Sequence, residues 1–209
     1  TAAAVMVKGL TAWFLLRRTY RVQAGETILF HAAAGGVGLL ACQWAASLGA
    51  TVIGTVGSEA KVELARRHGC HHVVVLDRDD VPRRVRELTD GRGVPVVYDS
   101  VGRSTWEASL DCLAPRGLMV SFGNASGPVP PFSPLVLAEK GSLYLTRPTL
   151  MTYTAARADL LAGAEELFSA LHDGLLRVHL HGTYPLAEAA SAHRELEGRR
   201  TVGSTVLLP

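Results

Sequence analysis

The chain has 209 residues, 48% of them hydrophobic and 19% charged, enough for one sizeable α/β domain or one such domain with an appendage. A formal net charge of +2 is too small to point to nucleic acid or an anionic membrane surface, and the apolar stretches break well before the ~20 residues of a membrane span. Three widely separated cysteines, Cys42, Cys70 and Cys112, imply no disulfide framework and suit a reducing cytoplasm.

Residues 3–20 carry Leu10, Trp13, Phe14 and Leu16 on one side of a helical period. The run begins at Thr1 with no initiator Met and no capping turn, so the sequence is expected to be cut from a longer protein. After the Ala24-Gly25 turn, residues 27–32 form a short apolar run of the kind found in a strand buried on both faces. A helix is expected over 35–48, a strand over 51–56, a helix over 59–68 and a strand over 73–76. A polar helix over 81–88 leads to strands at 95–98, 118–122 and 142–145, with a helix over 105–113 between the first two. Such alternation predicts parallel β-α-β units in a doubly wound sheet of six strands. Gly127, Pro128, Pro130, Pro131 and Pro134 make 124–134 a loop. Beyond Pro148 the rhythm changes: a helix over 155–176, a strand over 177–181, a helix over 187–196 and a strand over 202–208. The expected division is therefore 1–146 for the sheet domain and 147–209 for an appended segment.

The strongest chemical signal is Ala33-Ala34-Gly35-Gly36-Val37-Gly38, between the first strand and its helix. It fits G-x-G-x-x-G with Ala33 in the first glycine position. The middle glycine lets backbone approach a pyrophosphate and the last lets helix and strand pack closely. Amides at the helix start would hold the phosphates. The flanking strand, helix and second strand give the motif the context that a bare glycine pattern lacks.

An NAD site places an acid about 20 residues beyond this turn, on the ribose 2′-hydroxyl. Here the second strand ends Gly54-Thr55-Val56-Gly57 without one, and Ser58 and Lys61 follow. A hydroxyl and a cation there suit a 2′-phosphate, so the expected cofactor is NADPH.

Other constellations fail. None of the five tyrosines has a lysine four residues on; Tyr153 has Arg157. The cysteines are too isolated for a zinc site, and His179 and His181, alternate residues of one strand, have no third ligand near them in sequence. No metal ligand is assigned. His31 is expected to hold backbone at the head of the glycine turn, and Asp99 to form a turn.

The segments His31–Gly38, Gln43-Trp44-Ala45, Gly54–Gly57, Tyr98–Gly102 and Phe122-Gly123-Asn124 together resemble quinone oxidoreductase of the ζ-crystallin type, a zinc-independent branch of the medium-chain dehydrogenase/reductase superfamily. Lys8–Ala12 and Tyr144–Pro148 extend the resemblance to nearly the whole chain. It implies a GroES-like catalytic domain, then a Rossmann domain, then a C-terminal return to the catalytic domain. This sequence starts where the second of these starts. By position, Gly35, Gly36, Val37 and Gly38 would line the pyrophosphate, and Gly57, Ser58 and Lys61 the adenosine 2′-phosphate, with Arg199 reaching in from the return segment and Ala34 and Thr55 as further cofactor contacts. Thr11, Phe122, Gly123, Asn124, Thr146 and Arg147 would lie near the nicotinamide, with Ser100, Val101 and Gly102 closing over the cofactor. Leu76 stands where relatives often have a Tyr, which removes one contact to that phosphate.

The activity implied is NADPH-dependent reduction of a quinone or related conjugated carbonyl in a cleft between domains. No catalytic residue is named, because one wall of that cleft lies outside this sequence. An enoyl reductase of the same superfamily, free-standing or from a polyketide synthase, and a non-catalytic NADPH-binding protein are the alternatives. The resemblance also implies a homodimer through the edge strand 142–145; the hydropathy and the small net charge leave neither membrane nor nucleic acid as an expected partner.

Overall fold

A computed structural model describes residues 2–198 and 200–209. Helix α1 (Ala2–Phe14) ends in a π turn, Leu15–Thr19, and leads into β1 (Thr27–Phe30), α2 (Gly36–Ser47) and β2 (Thr51–Val56). Next come α3 (Val62–Arg67), β3 (His72–Val75), α4 (Val81–Leu88), β4 (Val94–Asp99), α5 (Trp106–Cys112) and β5 (Leu113–Ser121). Two short helices, α6 (Leu135–Glu139) and α7 (Leu150–Tyr153), bracket the last strand of the sheet, β6 (Tyr144–Thr146). The chain closes with α8 (Arg157–His172), β7 (Leu180–Pro185), α9 (Ala189–Glu197) and β8 (Ser204–Leu208).

Six strands form one sheet in the order β3-β2-β1-β4-β5-β6, with every pair parallel. This is the doubly wound Rossmann order, and the parallel pairing is that expected from the alternation. Central strands such as Ile28–Phe30 and Val96–Tyr98 are buried on both faces, which is why they read as unbroken apolar runs. One cluster of core residues joins α1, α2 and α8 to the sheet; a second, on the other face, holds Leu29, Ile53, Val85, Trp106 and Leu110.

Residues beyond 146 also contribute to the core. Leu167, Ala170 and Leu176 belong to the cluster built on Trp13 and Phe14. The two helices meet through glycines: a Cβ on Gly163 would lie 2.7 Å from the Trp13 ring, and one on Gly9 would lie 2.5 Å from Leu167. Strands β7 and β8 form a separate parallel pair, half-buried at most over most of their length. The expected strand at 177–181 lies later, at Leu180–Pro185.

Strand β1 pairs with β2 on one side and β4 on the other, so the winding reverses between β1 and β4. A crevice opens at the carboxyl ends of strands where this happens. The glycine turn sits there.

Candidate functional site

The turn after β1 folds locally. Gly35 N–H donates to Ala32 O at 2.9 Å and Leu39 N–H to Gly35 O at 2.9 Å, so α2 starts abruptly. Its cap, Gly35, has no side chain to bond the amides of the first turn. Those amides, with the positive end of the helix dipole, suit an anion. A Cβ on Gly38 would come within 2.4 Å of Ala32 O and 2.8 Å of Ala33 backbone, so only glycine lets helix and turn approach this closely.

A cleft of about 350 Å³ opens over the turn. Of the residues singled out from sequence, Ala34, Gly35, Gly36, Thr55, Gly57, Lys61 and Val101 line it. Val37 and Gly38 lie in the first turn of α2, and Ser58 leads into the 3-10 turn that carries Lys61. Leu76 and Leu196 supply apolar wall. Gly57 has nothing within 4 Å of where a Cβ would stand, so the Lys61 side of the cleft is open.

The other named residues lie elsewhere. Asn124 and Arg147 border a separate hollow of about 270 Å³, together with Trp106 and Phe132, whose rings are 4.9 Å apart. Phe122 packs its ring 5.8 Å from Phe30, and Gly123 backs onto Ser100, whose carbonyl would be 2.5 Å from a Cβ. Gly102 turns the chain at φ +88°. Thr146 pairs with Val120 in the sheet, and the Thr11 hydroxyl donates to Val7 O within α1. Arg199 lies outside the described residues. From the return segment the sequence pointed to Arg199 alone; Leu196, Thr201 and Gly203, which it did not single out, line the cleft. Gly203 bridges Gly35, and its carbonyl would be 2.8 Å from a Cβ on Gly36. No local pattern signals such a contact.

Lys8 is half-buried beside Gly36, and burial lowers its pKa; its ammonium donates to Ser204 Oγ at 2.8 Å. The thiols are buried. The Cys70 contact, then burial, push Cys42 well up, and burial pushes Cys112 up to about 12, so neither is a ready nucleophile.

The residues present fit a dinucleotide. The cleft has an uncapped helix start for a diphosphate, apolar wall for a base and a cation on one side.

A family model described as "Zinc-binding dehydrogenase" matches residues 36–165. The chain is 60% identical over 208 residues to a quinone oxidoreductase of Pseudomonas aeruginosa, covering all of this chain and 64% of that protein. It is 48% identical to a 2-haloacrylate reductase of a Burkholderia species, covering 99% of this chain and 62% of that protein. The solved quinone oxidoreductase of Escherichia coli, complexed with NADPH, superposes with a TM-score of 0.97 at 51% identity, again over all of this chain and 64% of the other. The chain thus spans just under two thirds of the length of these relatives. Among the described residues no group of three or more His, Cys, Asp or Glu is placed to hold a metal ion, so they do not fit the zinc of the family's description.

Proposed function

The chain belongs to the zinc-binding dehydrogenase family, and from that premise we propose that it forms the nucleotide-binding part of an NADPH-dependent oxidoreductase that reduces a quinone or a related conjugated carbonyl. The observation that carries this reading is the cleft at the β1/β4 switch point, where the glycine turn, Lys61 and Gly203 converge.

In this reading the amides at the start of α2 bind the diphosphate, and Lys61 with Ser58 takes the adenosine 2′-phosphate. Thr55, Gly57 and Val101 shape the walls. Phe122, Gly123, Asn124, Thr146 and Arg147 lie toward the nicotinamide end, with Ser100 and Gly102 setting the turn that closes over the cofactor. Bound NADPH supplies a hydride, and the protein's part is to orient it and exclude water. Residues 147–209 remain the proposed return segment, with β7, α9 and β8 as its outward part and α8 docked on the nucleotide side. The exposed edge strand β6, where Tyr144 is 63% accessible, would pair with a second copy in a homodimer.

Calorimetric titration with NADPH and NADH tests the cofactor; equal affinity for both would remove the selectivity. Acceptor profiling of the whole protein tests the substrate. The name of the 2-haloacrylate reductase favours a second reading, reduction of an activated carbon–carbon double bond. Turnover of enoyl substrates with none of quinones would select it, and tight NADPH binding with no acceptor would indicate a non-catalytic binding protein. A monomer in sedimentation at micromolar concentration would remove the dimer.

A further inference from the structure

Beneath the cleft runs a line of polar side chains that an anion-binding turn does not by itself require. His31, Thr55, Asp99 and Ser109 are all 0% accessible, and they come from the ends of β1, β2 and β4 and from α5. Asp99 Oδ2 accepts from the hydroxyls of Ser109 at 2.8 Å and Thr105 at 2.7 Å. With its one proton given to Asp99, Ser109 Oγ can only accept from His31 Nε2, 3.0 Å away. His31 therefore carries its proton on Nε2, and its bare Nδ1 accepts from the Thr55 hydroxyl at 3.0 Å. Thr55 Oγ1 in turn accepts the Ala32 amide at 3.3 Å.

Both ends of this line reach a wall of the cleft. Ala32 has φ +53°, a left-handed backbone that a residue with a Cβ rarely adopts, and its carbonyl receives the Gly35 amide that starts the phosphate turn. At the far end, Asp99 Oδ1 takes the amides of Val101 at 2.7 Å and Gly102 at 3.0 Å. Ala32 and Val101 both line the cleft.

We propose that Thr55, His31, Ser109 and Asp99 form a buried positioning relay for the nucleotide cleft, in which Thr55 pins Ala32 in left-handed backbone while Asp99 fixes the facing 101–102 turn. None of the four is a catalytic residue. The proposal rests on reading the cleft as a dinucleotide site, but the relay itself can be observed without nucleotide.

The test therefore has two readouts on the whole protein: amide hydrogen exchange of the 31–36 and 99–104 peptides without nucleotide, and NADPH affinity by calorimetry. Thr55→Val should speed exchange at 31–36 and raise the NADPH Kd about tenfold, the loss expected for about one net hydrogen bond. Thr55→Ser keeps the hydroxyl and should restore exchange at 31–36 to near the wild-type rate. Adding Ala32→Gly to Thr55→Val should return the Kd to within about threefold of wild type, because glycine occupies left-handed backbone unaided. Should Thr55→Val fold too poorly, Ser109→Ala cuts the relay at its middle, away from the cleft lining, and should speed exchange in both peptides. Unchanged exchange and Kd in Thr55→Val and Ser109→Ala would overturn the proposal, as would failure of Ala32→Gly to restore binding in a folded protein. If wild type bound no NADPH yet exchange responded as described, the nucleotide reading would fall and the relay would stand.

Discussion

The amide of Gly203 donates to the carbonyl of Ala34 at 3.1 Å, stitching the last stretch of the chain to the phosphate turn. One residue on, Ser204 Oγ accepts from Lys8 of α1 at 2.8 Å and donates to Ala4 O at 3.1 Å. The first helix and the last strand are thus clasped together beside the start of α2.

Ser204→Ala removes both bonds of that clasp and leaves the half-buried Lys8 ammonium without this acceptor. The expected cost is about 1–3 kcal/mol, read as a lower midpoint in urea with little change in slope. Ser204→Thr should keep most of the stability. NADPH should also dissociate faster from the alanine variant, because Gly203 walls the cleft.

Two glycines, one in the first turn of α2 and one lining the cleft, should respond differently. The Cβ of Gly38→Ala would press on rigid backbone at Ala32 and Ala33, so the variant should lose about 1–3 kcal/mol or more together with nucleotide binding. The methyl of Gly57→Ala meets nothing within 4 Å, and thermal unfolding should show a stability within about 0.5 kcal/mol of wild type.

Lys61→Glu places an anion where the 2′-phosphate is proposed to lie. NADPH affinity should fall about 10- to 100-fold while NADH affinity changes far less, as calorimetry would show. An equal loss for both nucleotides would mean that Lys61 shapes the cleft without reading the phosphate.

Burial lowers the pKa of His31 below its ordinary 6.5, against an opposing pull from Asp99. The unfolded chain then binds a proton that the folded one refuses. The stability from neutral His31 is present above pH 6.5 and is lost as pH falls below it toward the folded pKa, with a slope of at most about 1.4 kcal/mol per pH unit. His31→Gln should flatten the stability curve in that window. His72 and His179 shift the same way through burial, so the comparison must be variant against wild type.

Much of the fold is written locally. The bounds of β2 and α4 are those read from sequence, because β2 is a short run of β-branched and small residues between glycine turns and α4 starts at an Asp80 cap that accepts the Arg83 amide. Helices α6 and α7 were not legible: at five and four residues they are too short to show a period. The first half of β5 was hidden by Pro115 and Gly117, which break an apolar run although the strand passes through them.

The sequence by itself determined the parallel six-stranded sheet and the phosphate turn, since alternating apolar runs and a glycine motif act over a few neighbouring residues. Only the tertiary structure decided that α8 packs on Trp13, that Gly203 closes the cleft over Ala34, and that Asn124 and Arg147 border a hollow of their own. Those outcomes depend on side chains and amides meeting across distant parts of the chain. Such meetings are settled by close packing and by the pairing of every buried polar group, neither of which leaves a periodic trace in sequence.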